Sequence, residues 1–265
     1  MLEIRNLRVV YPNGTEALRS VTLSAEKGEI VAVIGRSGAG KSTLLRCING
    51  LQPAASGSVY LDGDNITEMN EEQLCLVRRR IGFIWQEYNV VERSTALRNV
   101  LAGRLGYCQN LRSLLGIIDT PHREIAVRNL DRVNLLQLAN QRADRLSGGE
   151  KQRVSIARAM SQEPKVLLAD EPVASLDPEL AWQILTDLAR VAREDQALTL
   201  ISIHQVELAR HFVDRIVGIA GGEVVFDGTP AKLDDQVMDR IYRFDRPPRA
   251  AVRQQALVAA TSGGE

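Results

Sequence analysis

The sequence lacks features that would assign it to several specialised classes of protein. Lysine plus arginine and aspartate plus glutamate both number 33, so the formal net charge is zero. A dedicated nucleic-acid binder needs a basic surplus for its phosphate contacts, and this balance argues against one. No apolar run approaches the roughly 20 residues that cross a bilayer. We therefore expect a protein that neither binds nucleic acid nor spans a membrane.

Cysteine is scarce, and internal repeats are absent. The 3 cysteines, Cys47, Cys75 and Cys108, do not have the paired spacing of a disulfide framework or a metal site. This scatter predicts reduced, mostly structural thiols of a cytosolic protein. With no repeat to divide it, the chain of 265 residues forms one large domain or two small ones.

The strongest pattern is a glycine-rich loop, GRSGAGKST, which directly follows the apolar run GEIVAVI. It fits G-x-x-x-x-G-K-[ST], and its glycines let several backbone N–H groups point at one anion. Apolar residues at helical spacing after Lys41 predict a helix whose positive end faces the same anion. We expect Lys41 to reach the β- and γ-phosphates of a nucleotide and Ser42 to bind Mg²⁺. An ordinary glycine turn is the alternative. The predicted nucleotide-binding loop comprises Gly35, Arg36, Ser37, Gly38, Ala39, Gly40, Lys41, Ser42 and Thr43.

Two further apolar strands end in residues suited to phosphate chemistry. KVLLADE ends in two carboxylates, where Asp170 is expected to hold Mg²⁺ and Glu171 to polarise an attacking water. His204 follows ALTLISI, and the carboxyl ends of parallel strands form the ligand crevice of such sheets. The alternatives are a solvated strand end and a structural histidine.

Two polar residues near strand ends allow a functional and a structural interpretation. Tyr11 has a ring that could stack on adenine, or it is a half-buried strand tyrosine. Gln86, at the end of a predicted strand over 81–87, could bind Mg²⁺ or water, or it hydrates a loop.

The segment LSGGEKQR is also ambiguous. Ser147 and Glu150 satisfy the capping box S-x-x-E, which a plain helix start explains. Gly148 and Gly149 are each about 1 kcal/mol worse than alanine in a helix. A bare glycine N-terminus, however, admits a phosphate closely. Further on, ASLDP prepares a helix for which Asp177 could be no more than the N-cap.

Strand patterns alternate with helical patterns along the chain, which predicts a parallel sheet flanked by helices. The first strand, near the N-terminus, is expected at a sheet edge. Residues 89–160 are mostly helical and interrupt the alternation like an inserted subdomain. Residues 246–265 are expected to form a weakly ordered tail.

Together these motifs resemble the ATP-binding subunit of an ATP-binding-cassette (ABC) transporter. The order Tyr11, GRSGAGKS, Gln86, LSGGE, VLLADE, SLD and His204 matches over about residues 1–245. The resemblance implies an α/β P-loop NTPase fold with a RecA-like core, an antiparallel β-subdomain and an inserted α-helical subdomain. It implies ATP and Mg²⁺ as ligands and Glu171 and His204 as catalytic residues. The implied metal-binding residues are Ser42, Gln86 and Asp170.

The resemblance also implies an assembly. Two copies would form a head-to-tail homodimer in which each ATP lies between one phosphate loop and the LSGG segment of the other copy, at Ser147, Gly148 and Gly149. The implied dimer-contact loop comprises Ser175, Leu176 and Asp177. The further partners would be two transmembrane permease subunits and an extracytoplasmic solute-binding protein. The chain would then lie peripherally on the cytoplasmic face of the cell membrane.

A narrower resemblance is to the phosphonate-import ATP-binding proteins. NVLAGRLGY, RSLLG, ADEPVASLDP and HQVELAR are similar to that group. The sequence departs from it at Glu150, where glutamine is usual, and at Trp85, where phenylalanine is usual. The implied function is ATP-driven uptake of phosphonates. The alternatives are import of another oxyanion or polar solute, such as phosphate, phosphite or an amino acid, and a soluble ABC ATPase without a transport role.

Overall fold

The computed structural model describes residues 1–108 and 119–242. The predicted motif RSLLG and the predicted tail 246–265 lie outside these residues. The strands are β1 (Leu2–Val10), β2 (Glu16–Ala25), β3 (Ile30–Ile34), β4 (Ser56–Leu61), β5 (Asp64–Asn65), β6 (Ile81–Ile84), β7 (Val166–Asp170), β8 (Leu198–Ser202), β9 (Arg215–Ala220) and β10 (Glu223–Gly228). The helices are α1 (Lys41–Ile48), α2 (Glu71–Arg78), α3 (Ala96–Leu101), α4 (Thr120–Arg132), α5 (Gly148–Met160), α6 (Pro178–Glu194), α7 (Val206–Phe212) and α8 (Asp235–Tyr242).

The larger sheet has six strands in the order β10-β9-β3-β8-β7-β6. The five strands from β9 to β6 are parallel, and β10 is antiparallel to β9. Every residue of β3, β7 and β8 is buried, as expected for parallel strands covered on both faces. The carboxyl ends of β6, β7, β8 and β3 therefore meet at one edge of the sheet.

A second, antiparallel sheet has the order β2-β1-β4-β5. The expectation that the first strand lies at an edge is wrong, because β1 pairs with β2 on one side and β4 on the other. Its alternating burial reflects a sheet with one face packed on the core and one face solvated. That alternation carries no information about which strand is at the edge.

Two apolar clusters cover the two faces of the larger sheet. One contains α1 and the packed face of the antiparallel sheet, including Leu44, Leu45 and Ile48. The other contains residues of α3 to α8, including Val154 and Leu188. Helices α3, α4 and α5 contact one another between β6 and β7 in sequence. They belong to the stretch predicted as an inserted helical subdomain, and that division remains a prediction.

None of the helices within residues 1–108 and 119–242 combines the length and apolar content of a membrane span.

Candidate nucleotide-binding site

A cleft of about 440 Å³ opens at the carboxyl edge of the larger sheet. Its walls come from the β1–β2 connection, the loop between β3 and α1, and the chain after β6, β7 and β8. The residues that line it are Tyr11, Thr15, Glu16, Ala17, Ser37, Gly38, Gly40, Lys41, Ser42, Thr43, Gln86, Glu171 and His204. Tyr11, the loop residues, Gln86, Glu171 and His204, which are far apart in sequence, thus share one cleft. Thr15, Glu16 and Ala17 also line it and were not predicted.

The loop between β3 and α1 has the backbone that its glycines predict. Gly35 and Gly40 have φ angles of +153° and +107°. A Cβ at Gly35 would lie 2.3 Å from the carbonyl oxygen of Ile219, and one at Gly40 would lie 2.5 Å from that of Ala17. Both the backbone conformation and the close packing therefore require glycine. The loop leads directly into α1, whose N-terminal N–H groups and helix dipole favour an anion.

The Lys41 side chain is only 3% exposed and lies beneath this loop. Its Nζ donates hydrogen bonds to the carbonyl oxygens of Gly35, at 3.0 Å, and Arg36, at 3.1 Å. Glu171 Oε1 lies 3.9 Å from Nζ. Burial lowers the pKa of Lys41, while the charges of Glu171 and Asp170 act in the opposite direction. A cation held at this position presents positive charge to a phosphate group in the loop.

Asp170 ends β7 and is 3% exposed. Its Oδ1 accepts hydrogen bonds from Ser42 Oγ and Ser202 Oγ, both at 2.8 Å. Gln86 lines the cleft and lies two residues after β6, which ends at Ile84. The prediction that this strand continues to Gln86 is wrong, because pairing with β7 stops where Ile84 meets Ala169.

The three predicted metal-binding residues supply a carboxylate, a hydroxyl and an amide oxygen, all of them hard donors. Mg²⁺ typically takes one or two carboxylates together with substrate phosphates and water. Within the described ranges, no cluster of three or more His, Cys, Asp or Glu side chains is arranged to hold a metal alone. Ser42, Gln86 and Asp170 therefore fit an ion that is bound together with a nucleotide.

Glu171 and His204 form a close pair beside the loop. His204 Nε2 lies 2.5 Å from Glu171 Oε1. The Glu171 side chain is 15% exposed and its backbone has a left-handed φ of +49°. The structure thus brings the carboxylate and the imidazole together at the cleft, and the catalytic roles predicted for them remain predictions.

Sequence reasoning missed Ser202, the fully buried last residue of β8. Its hydroxyl contacts both Asp170 and the backbone N–H of Glu171. The available signal was a serine within the apolar run ALTLISI, in a strand of which every residue is buried.

Tyr11 combines features of both interpretations. It is half-buried against the apolar cluster around α1, and it also lines the cleft. Its hydroxyl lies 2.9 Å from Thr43 Oγ1, which joins it to the first turn of α1. The ring thus has a fixed place at the mouth of the cleft, and its role toward adenine remains a prediction.

The LSGG segment begins α5 with the predicted capping box. Ser147 Oγ accepts a hydrogen bond from the Glu150 N–H at 3.3 Å, and Glu150 Oε2 accepts one from the Ser147 N–H at 2.7 Å. A Cβ at Gly149 would lie 2.7 Å from both methyl carbons of Leu180, so a larger residue here would displace that side chain. None of Ser147, Gly148 and Gly149 is among the cleft-lining residues of the described structure.

The predicted dimer-contact loop precedes α6. Asp177 is the N-cap of α6, and its Oδ1 accepts a hydrogen bond from the Leu180 N–H at 3.0 Å. Ser175 is exposed and Leu176 is half-buried. The structural role of Asp177 is thus present, and contact of this loop with a second copy stays a prediction.

The sequence is similar to those of known ATP-binding proteins. Residues 18–174 match the family described as ABC transporter. The Phosphonates import ATP-binding protein PhnC of Bacillus thuringiensis subsp. konkukian is 48% identical over 242 residues, which cover 91% of this chain and 94% of that protein. The protein of the same name in Shouchella clausii is also 48% identical over 242 residues, covering 91% of each chain.

Solved structures show the same fold. A dimeric post-hydrolysis state of the ATP-binding cassette MJ0796 bound to ADP and Pi matches with a TM-score of 0.77 and 32% identity, covering 87% of this chain and 99% of that one. The ADP conformation of MJ1267, an ATP-binding cassette of an ABC transporter, has a TM-score of 0.79 and 26% identity, covering 90% and 97%. The predicted P-loop fold is confirmed.

Proposed function

Because the chain belongs to the ABC transporter family, we propose that it is the ATP-hydrolysing subunit of an importer that takes up phosphonates. The placement of Lys41, Glu171 and His204 around one cleft carries the hydrolytic part of this proposal. The cargo follows from relatives named as phosphonate import proteins, which are 48% identical over 91% of this chain. The transported molecule would bind the other subunits, so no residue here is assigned to it.

Binding of ATP would use the loop and its lysine. The N–H groups of the loop and of the first turn of α1 surround the phosphates, and Lys41 contributes the positive charge. Ser42, Gln86 and Asp170 would hold Mg²⁺, which neutralises charge on the phosphate oxygens. Tyr11 would stack on the adenine.

Hydrolysis would be the task of the two residues that follow β7 and β8. Glu171 orients a water molecule toward the γ-phosphate and accepts its proton. His204, in contact with Glu171, steadies that water and the γ-phosphate. Lys41 Nζ lies 3.9 Å from Glu171 Oε1, and its positive charge attracts the carboxylate. This attraction would keep Glu171 close to the phosphate loop although the negative phosphates of ATP repel it.

A second copy of the chain would complete each site. The α5 N-terminus is separate from the cleft of its own chain, so Ser147, Gly148 and Gly149 are free to close on ATP in the other copy. The dimeric state recorded for the MJ0796 cassette supports this arrangement. Two permease subunits and a solute-binding protein would complete the importer, with this subunit peripheral on the cytoplasmic face of the membrane.

The cargo is tested by growth. Deletion of the gene in a strain with no second phosphonate importer is expected to abolish growth on a phosphonate as sole phosphorus source, while growth on phosphate persists. Restoring the gene should restore growth, and restoring a Lys41→Ala version should not. Equal growth on phosphonates with and without the gene would assign the importer another oxyanion or polar solute.

A further inference from the structure

The carboxyl ends of β7 and β8 are joined by one buried hydroxyl. Ser202 pairs in register with Asp170, and its side chain lies on the face of β8 that carries Leu198 and Leu200. Both of those residues are packed in the apolar cluster around α1. A serine that is fully buried on such a face loses its hydration, so its hydroxyl must find partners within the protein.

Those partners are the two acidic residues of the site. Ser202 Oγ donates to Asp170 Oδ1 at 2.8 Å and accepts from the backbone N–H of Glu171 at 2.8 Å. The second bond is made where the chain leaves the sheet, because Asp170 is the last residue of β7. The hydroxyl thus takes the place that a carbonyl of the neighbouring strand would have in a continuing ladder.

Glu171 has a backbone that needs such support. Its φ of +49° lies in the left-handed region, which glycine adopts freely and which L-residues other than asparagine and aspartate rarely adopt. Residues held in this region at functional sites persist because their surroundings fix them. Three groups of Glu171 are held: its N–H by Ser202, its carbonyl by the Ala174 N–H at 3.2 Å, and its carboxylate by His204.

We propose that Ser202 is a positioning residue that holds the Glu171 backbone in its left-handed conformation and aims the Asp170 carboxylate at Ser42. The proposal rests on the proposed ATPase function, since the two groups it positions are the proposed catalytic base and a proposed Mg²⁺ ligand. Ser202 itself is fully buried and is not among the residues that line the cleft.

The test compares Ser202→Ala with Ser202→Thr, which keeps the hydroxyl on a residue favoured in strands. The matched control is Thr199→Val, which removes another fully buried hydroxyl of β8 that bonds the carbonyl of Ala197, away from the cleft. Thermal unfolding of all three variants identifies any that fail to fold.

Single-turnover ATP hydrolysis is expected to fall about 10- to 100-fold in Ser202→Ala, the scale of a small misplacement of a catalytic group. ATP affinity in EDTA should stay within about 2-fold of the parent protein, and the gain in affinity on adding Mg²⁺ should shrink. Ser202→Thr should recover most of the rate, and Thr199→Val should hydrolyse ATP like the parent.

Hydrogen exchange of the Glu171 amide in the nucleotide-free protein supplies a readout that does not depend on ATPase activity. Its protection should be lost in Ser202→Ala and kept in Ser202→Thr and Thr199→Val. Unchanged exchange and unchanged turnover in Ser202→Ala would overturn the proposal, as would equal losses in Thr199→Val. A parent protein that does not hydrolyse ATP would contradict the proposed function, whereas the exchange result would still decide whether Ser202 holds Glu171.

Discussion

At the residue scale, replacement of Glu171 is expected to separate binding of ATP from its hydrolysis. Glutamine keeps the shape of the side chain but cannot accept a proton, and it removes a negative charge near the phosphates. Glu171→Gln is therefore expected to bind ATP at least as tightly as the parent protein, while hydrolysis falls by about 10²- to 10⁴-fold. This corresponds to about 3 to 5 kcal/mol in the activation barrier. Measurements of nucleotide affinity and of single-turnover hydrolysis test these two expectations.

Asp170→Asn is the control for that variant. It removes a carboxylate that contacts Ser42 rather than His204, so it should weaken Mg-dependent ATP binding before any chemistry. If Glu171→Gln hydrolyses ATP within a few-fold of the parent, the assignment of Glu171 is wrong and His204 becomes the principal catalytic group.

The cysteine thiols also differ sharply from one another in burial. Cys47 is buried in the cluster around α1, and burial raises its pKa to about 12, whereas Cys75 is exposed. Because the thiolate is the reactive form, Cys47 should resist alkylation at pH 8 until the protein unfolds, and Cys75 should react first. Mass spectrometry of iodoacetamide-treated protein, with and without denaturant, gives the order in which the cysteines are alkylated. Early modification of Cys47 would contradict the packing described for α1.

At the scale of elements, helix propensity and side-chain packing at the start of α5 predict opposite effects of one substitution on stability. Alanine is about 1 kcal/mol better than glycine within a helix, so propensity alone predicts that Gly149→Ala stabilises the protein. The Cβ would instead meet Leu180 at 2.7 Å, and such overpacking typically costs about 1 to 3 kcal/mol. We expect Gly149→Ala to lower the free energy of unfolding in urea, and Gly149→Ala combined with Leu180→Ala to remove the conflict between the two side chains. A Gly149→Ala variant more stable than the parent would show that α6 yields at this contact.

Secondary-structure elements and cleft residues were predictable from the sequence where the pattern that indicates them lies within one short stretch of the chain. The loop of Gly35 to Thr43 and the two carboxylates at the end of β7 follow short apolar runs, and parallel strands bring their carboxyl ends together. Ser202 was missed because its importance comes from Asp170, which is remote in sequence. The interior position of β1 was missed for the same reason, since alternating burial defines a face of a strand and not its neighbours.

At the scale of the whole molecule, the separation of the cleft from the α5 N-terminus, taken with the dimeric state of the similar MJ0796 cassette, predicts that two chains associate when ATP is bound. The hydrolysis-blocked Glu171→Gln variant should elute as a dimer with Mg-ATP and associate more weakly without it. Lys41→Ala, which loses the charge beneath the phosphate loop, should remain monomeric at the same concentrations. Size-exclusion chromatography with light scattering measures both. A monomeric Glu171→Gln variant under saturating Mg-ATP would contradict the shared site.

The position of β3 in the larger sheet has a consequence for the order in which the protein matures on the ribosome. This strand carries the phosphate loop, and its two neighbours in the sheet are β8 and β9, which are synthesised long after it. A nascent chain that ends before Leu198 holds the complete loop sequence without either strand that supports it. Pairings so distant in sequence form slowly, and an unpaired strand edge is prone to aggregate. The nucleotide-binding site is therefore expected to form only after β8 and β9 have left the exit tunnel.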